Sequence, residues 1–411
     1  MKPRAAHQER TEITAEGLMS QAIPRRDFLG GMTGLMAAIA AGGCASMTGP
    51  AMSSTAQAVP RFAYVGSYTT KERNGHGEGI NVYRIDPGSG NWTHVQLLKD
   101  IENPSWLSLD RRQRFLYAAH GDGTEATAFR IDEQAGHLTV LNRQPTNGKN
   151  GVRLVVDPTN RFIVLANYSS GTVAVLPINS DGSLGPLSDL VSPPGKPGPH
   201  RSRQESSHPH DTLFDPQGRF VVVPDLGLDT VFVFKLDTAR GKLVATDPPS
   251  VTARPGAGPR HVAFHPSKPY AYVINELDST ITTYRVDPER GELKAMQVIT
   301  TLPPAFTGNS TTSEIVVAAS GRFVYGSNRG HDSVAIFAVD QATGVLAPVG
   351  WEPTQGKSPR FFGIEPSGTF LYAANQDSDT IVTFRVDPAT GKLAPTGQVV
   401  KTGSPSTIVF R

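Results

Sequence analysis

The sequence predicts an all-β domain, a seven-bladed β-propeller closed by pairing of its C-terminal strand with its N-terminal blade, and three observations predict it. One module returns along the chain: an apolar strand, a Gly-containing turn, a second strand ending in Asn or Asp, a turn, a third alternating strand, then D…G.L. Its period lies in the forties to fifties. The two chain ends carry complementary pieces of the same module. A period of this length with about four strands per unit is the signature of a propeller.

The repeat is plainest in HVAFHPSKPYAYVINELDSTITTYRVDPERGEL and FFGIEPSGTFLYAANQDSDTIVTFRVDPATGKL, one module used twice. Taking the residue that closes the first strand as anchor gives Asp110, Asp157, Asp215, His265, Ala318, Glu365 and Arg411, spaced 47, 58, 50, 53, 47 and 46 residues apart. Alternation of polar with β-branched and aromatic residues, as in TITTYRV and TVFVFKL, makes these elements strands, and no helical period survives inside a unit. The domain begins at FAYVGSYT, which matches a second strand, and ends at PSTIVFR, which matches a first strand. The last strand therefore completes the first blade and leaves no open sheet edge.

Composition agrees. The chain has 411 residues, 38% hydrophobic and 18% charged, with 41 Gly and 33 Pro, the balance of a globular chain crowded with turns. A net charge of +2, with no long run of one sign, gives little support to a nucleic-acid partner.

Residues 1–58 read as a leader and 59–411 as the propeller. PRRDFLGGMTGLMAAIAAGGCAS places Arg25 and Arg26 ahead of Phe28, Leu29 and a weakly apolar run too short to span a bilayer, which resembles a twin-arginine export signal. The expectation is a protein exported to the periplasm or beyond, with no transmembrane domain. AQA, Ala56 to Ala58, suits a signal peptidase, and cleavage there is the reading adopted. AGGC, ending at Cys44, resembles a lipoprotein box with Ala41 where a larger aliphatic is usual, and would instead anchor the protein through a lipid on Cys44. Cys44 is the only cysteine, which excludes disulfides, CxxC zinc sites and a cysteine nucleophile.

Comparing the blades with one another separates residues that serve the fold from residues that serve chemistry. The second strand ends in Asn167, Asp225, Asn275, Asn328 and Asn375, a turn-forming position, and the next residue varies: Tyr168, Leu226, Glu276, Arg329 and Gln376. Pro104, Pro209, Pro259, Pro359 and Pro405 precede the first strand, and the next residue again varies: Ser105, His210, Arg260, Arg360 and Ser406. Adjacent antiparallel strands place both variable positions at one end of the propeller. His210, Arg260, Glu276, Arg329 and Arg360 are thus expected on one rim, around the mouth of the central channel, where propellers place ligand sites. Singly, each reads as a solvated loop charge; together they read as a site.

The stretch RQESSHPHD carries His208 and His210. His210 falls on the channel-facing position, whereas His208 belongs to a Pro/Gly-rich insertion, Ser192 to His210, between the third and fourth blades. No metal is expected, because further ligands at workable spacing are not identifiable and the neighbouring rim residues are arginines. GxSxG and HExxH are absent from the sequence, and GHGEG at Gly75 to Gly79 precedes a strand, so its glycines read as turn residues.

The segments RQESSHPH, GPRHVAFHP, YVINELDST, YGSNRGHDS and SPRFFGIEPSG resemble the propeller lactonase family, which includes bacterial 6-phosphogluconolactonase and the fungal carboxy-muconate lactonizing enzyme. The resemblance covers essentially the whole mature chain. It implies a small-molecule lactone as substrate, no cofactor, and a catalytic set of His210, Arg260, Glu276 and Arg329, with Arg203 and Gln204 inside the family's motif. Lactone hydrolysis needs a base to activate water and a cation where the oxyanion develops. Glu276 or His210 is the expected base; Arg260 and Arg329 stabilise the oxyanion or a substrate anion; Arg203, Gln204 and Arg360 bind substrate. Lys196 and Arg201 read as solvated. Two alternatives stay open: a lyase that forms lactones from muconates, and a non-catalytic propeller that binds a ligand or partner.

Overall fold

The structure, a computed structural model, describes residues 61–86 and 88–411. Residues 1–60, which include Arg25, Arg26, Cys44 and both expected cleavage positions, lie outside the described residues. Within them, seven four-stranded antiparallel sheets form the expected ring of blades. No helix among them is long and apolar enough to cross a membrane.

Closure follows the split read from the ends. Pro405–Phe410 pairs antiparallel with Phe62–Ser67, with Tyr64 opposite Val409 and Val65 opposite Ile408, and becomes the inner strand of the first blade. Arg61 and Phe62 both donate their backbone N–H to the carbonyl of Arg411.

The repeated residues have separate mechanical tasks. The anchors bind the turn that follows them: Asp157 Oδ1 accepts the amides of Arg161 and Phe162 at 2.7 Å each, and Asp215 Oδ1 accepts those of Arg219 and Phe220 at 2.6 and 2.8 Å. The glycine of D…G.L locks neighbouring blades. Gly344 has φ +76, and a Cβ there would lie 2.6 Å from the Tyr270 ring of the preceding blade. The fully buried Tyr272 donates its hydroxyl to the carbonyl of the same Gly344 at 3.1 Å. The Asn that closes the second strand does more than shape its own turn. Asn328 Nδ2 donates to the carbonyl of Thr301, in the preceding blade's outer loop, at 2.9 Å and to Ser333 Oγ at 3.3 Å. Apolar side chains fill the spaces between blades, so the core is seven wedges and not one centre.

The variable position after the recurring Pro has a physical origin. Pro259 pairs with Asn275 and His261 with Ile274, so Arg260 is the extra residue of a β-bulge; Arg360 and Ser105 occupy the same bulge in their blades. A bulge frees one residue from the ladder and re-aims its side chain. The fourth blade departs from the pattern: its inner strand is reduced to Leu213–Phe214, and Pro209 touches Asp225 only through an isolated bridge. The preceding insertion supplies that blade's entry.

Candidate active site

A cavity of about 290 Å³ opens at the rim where the sequence places its variable residues. His210, Glu276, Arg329 and Arg360 line it, together with Arg203 from the insertion. They come from the fourth to seventh blades and the loop before them, so ring geometry alone gathers residues far apart in sequence.

Glu276 is the hub. It is 2% exposed, and three guanidinium groups hold its carboxylate: Arg203 Nη2 lies 2.5 Å from Oε1, and Arg260 Nε and Arg329 Nη2 lie 2.8 and 3.2 Å from Oε2. Burial by itself raises the pKa of this carboxyl, but Arg329, Arg260 and Arg203 outweigh it and hold the group well below the usual range. A carboxylate so stabilised is a weak proton acceptor and a strong electrostatic clamp.

His210 has the opposite character. Desolvation, then the charge of Arg260, keeps its pKa well below that of an ordinary imidazole, so the ring is neutral near pH 7. Its Nε2 lies 3.9 Å from Glu276 Oε2, and its buried Nδ1 has no hydrogen-bond partner. The backbone holds the residue in place, with His210 N–H donating to the Pro224 carbonyl at 2.9 Å. The ring sits edge-on between Tyr168 and His261, with centroids 5.4 and 5.2 Å away.

The arginines divide into distinct positions. Arg260 does not line the cavity as the sequence suggests: it is 2% exposed beneath Glu276, donating Nη1–H to the Ser313 carbonyl at 2.6 Å, and burial pushes it down to about 9, which leaves it cationic near neutrality. Arg329 faces the cavity and donates Nη2–H to the Thr312 carbonyl at 2.8 Å. Arg360 lies 5.2 Å from the Tyr68 ring centroid, and among the described residues no carboxylate pairs with it. Its guanidinium is the one best placed to meet an anion from outside.

The insertion is ordered by its own polar contacts. Gln204, expected to bind substrate, does not line the cavity: Nε2 donates to the Leu226 carbonyl at 2.8 Å, and Oε1 accepts His200 N–H at 3.0 Å. Both ends of its amide are engaged in shaping the loop. His208 stacks on Tyr168 at 4.4 Å and 8°, with Nδ1 2.9 Å from the Tyr168 carbonyl. It supports the wall. Lys196 and Arg201 are exposed, as expected.

Sequence reasoning did not select Arg73, Asn150, Val152 or Tyr168, which also line the cavity. Arg73 comes from the loop after the first described strand, where it forms a two-point ion pair with Asp122 at 2.5 and 2.6 Å. Loop length is the available signal: twelve residues, 68–79, separate Ser67 from Ile80, against four, 276–279, between Asn275 and Thr280.

Residues 62–410 match the family described as lactonase, 7-bladed beta-propeller. The chain is 40% identical to 6-phosphogluconolactonase of Bacillus subtilis (strain 168) over 309 residues, 74% of this chain and 85% of that one. Among solved structures it resembles the periplasmic gluconolactonase of Pseudomonas aeruginosa, with a TM-score of 0.79 and 33% identity over 85% of this chain and 98% of that one. A putative 6-phosphogluconolactonase from Bacteroides fragilis gives a TM-score of 0.78 and 32% identity over 85% and 97%. By repeat, ring closure and extent of similarity, this chain belongs to the seven-bladed β-propeller lactonase family.

Proposed function

We propose that this protein is a lactone hydrolase, a carboxylic ester hydrolase that opens a sugar-acid or related lactone in the 290 Å³ cavity at the channel mouth. The observation that carries this reading is that a neutral imidazole, His210, and the guanidinium groups of Arg329 and Arg360 line one cavity.

Water oxygen bonds to the ring carbonyl carbon while its proton passes to His210 Nε2. The proton arrives 3.9 Å from Glu276 Oε2, whose charge stabilises the imidazolium. Arg329 and Arg360 stabilise the oxyanion formed at the carbonyl oxygen. The ring C–O bond then breaks, the departing alkoxide takes the proton back, and the hydroxy acid leaves as a carboxylate with release of one proton to solvent. In this scheme His210 is the base. Glu276 holds Arg203, Arg260 and Arg329, and Arg260 acts from below the cavity floor.

Hydrolysis is favoured over lactone formation because the relatives named above are gluconolactonases. A proton-release assay with neutral and acidic aldonolactones, run beside an absorbance assay with muconates, tests the choice. Lactone opening above the spontaneous rate is expected; turnover of muconates alone, or of neither class, contradicts the proposal.

Export through the twin-arginine route belongs to the same reading. Arg25 and Arg26 support it, as does the periplasmic gluconolactonase among the structural neighbours. Changing both arginines to Lys is expected to leave precursor in the cytoplasm, and unaltered export of that variant rejects the route.

A further inference from the structure

The other end of the channel holds a second cavity, about 420 Å³, that lactone opening does not use. Its wall is apolar and comes from the far ends of inner strands: Leu109, Leu213, Val316, Ile364 and Val409, each from a different blade and each half-buried. Its floor is polar. Arg153 reaches across the channel with its guanidinium 3.9 Å from the Trp106 ring centroid, its Nε 2.7 Å from Asp211 Oδ1 and its Nη1 3.4 Å from Glu314 Oε1. His261 joins this tier to the first cavity: its Nδ1 lies 3.1 Å from Glu314 Oε1, and Arg260, which holds Glu276, lies 3.0 Å from its Nε2. Buried Arg260 and His261 thus link the two cavities.

Three polar atoms of that floor form no hydrogen bond among the described residues. Glu314 is 2% exposed and its Oε2 accepts none, Asp211 Oδ1 has only its ion pair with Arg153 Nε, and Arg153 Nη2 donates to none. A buried acceptor left without a donor costs about 1–3 kcal/mol, so a native site that keeps one calls for an explanation. No step of the hydrolysis supplies it.

We propose that the far cavity binds a small neutral amphiphile, an aliphatic chain bearing a primary amide or hydroxyl head that donates to Glu314 Oε2 and accepts from Arg153 Nη2. The wall selects the chain, and the volume suits a small ligand. The charges select the head. Arg153 faces both Asp211 and Glu314. An ammonium head therefore meets a guanidinium, a carboxylate head meets two acids, and only a neutral donor–acceptor head escapes both.

Calorimetric titration of the protein with hexanamide, hexanoate and hexylamine tests this without reference to lactone chemistry. Hexanamide is expected to bind one to one, at least about ten-fold more tightly than either charged analogue. Ile364→Glu, which places a charge on the cavity wall, is expected to weaken hexanamide by at least about ten-fold, with an unchanged circular dichroism spectrum. Arg360→Ala, on the opposite rim, is expected to leave hexanamide binding unaltered. No binding of hexanamide, equal binding of the three heads, or loss of binding in Arg360→Ala overturns the proposal.

Discussion

Replacing Glu276 with Gln and, separately, His210 with Gln separates the clamp from the base, because the two changes act on stability and rate in opposite proportions. Glu276 is buried with three guanidinium groups at 2.5, 2.8 and 3.2 Å. Gln keeps the volume and removes the charge, which leaves Arg260, 2% exposed, without its carboxylate. Breaking a buried pair in this way costs about 3–5 kcal/mol, a large share of the roughly 5–15 kcal/mol that stabilises an ordinary domain. At about 2 °C per kcal/mol for a domain of this size, Tm falls by roughly 6–10 °C. His210 makes no side-chain hydrogen bond whose loss strands a partner, and its Nδ1 is already unmatched. His210→Gln is therefore expected to change Tm by no more than about 2 °C while lowering kcat by about 10²- to 10⁴-fold, the usual contribution of a general base. Differential scanning calorimetry and lactone-dependent proton release on both variants measure the contrast. If Glu276→Gln keeps its Tm and loses kcat, while His210→Gln turns over normally, the roles are reversed and the clamp argument fails.

Three further outcomes follow from the same contacts. Because burial keeps the His210 imidazole neutral in the native state while the unfolded chain takes up a proton near pH 6.5, stability is lost as pH falls below about 6.5, by about 1.4 kcal/mol per pH unit for this residue. Comparing denaturant unfolding of wild type and His210→Gln between pH 6.5 and 5 isolates that slope from the opposing contribution of Asp211, which burial pushes up to about 6; identical slopes refute it. Arg360→Ala is expected to lower kcat on every lactone, through the oxyanion, and to raise KM by about ten-fold for an acidic lactone only, since Arg360 is the cavity cation with no carboxylate partner among the described residues; an unchanged kcat on a neutral lactone refutes its place at the oxyanion. Ending the chain at Ser404 removes the buried Ile408 and the whole ladder opposite Phe62–Ser67, and an aggregating product is expected; a soluble monomer with native Tm contradicts the closure.

The fold was legible because its period is long, regular and marked by residues with mechanical tasks. Asp157, Gly344 and Asn328 recur in kind because each binds a turn or locks a neighbouring blade, and those tasks repeat in most blades. The candidate site was legible where it sits on the repeat: Glu276 and Arg329 follow the strand-closing Asn, and Arg360 occupies a bulge whose side chain leaves the ladder. Depth was not legible. Arg260 and Arg360 hold equivalent positions, yet one lies beneath Glu276 and the other lines the cavity, because only the fifth blade places a carboxylate beside its bulge. Comparison of the blades also could not place residues carried by irregular loops. Arg73 and Gln204 owe their places to one loop's path and hydrogen bonds, which no blade-to-blade comparison contains. The tier of Arg153, His261 and Glu314 spans three blades, and nothing in the local pattern of any one strand announces it.

In the proposed mechanism the lactone carbonyl lies between His210 and the cavity arginines, and a crystal structure of His210→Gln with an aldonolactone tests that placement most directly. The ring is expected in the channel-mouth cavity, with its carbonyl oxygen hydrogen-bonded to Arg329 or Arg360 and its carbonyl carbon next to the side chain at position 210. A lactone bound elsewhere, or seated there with its carbonyl turned away from both arginines and from position 210, contradicts the account.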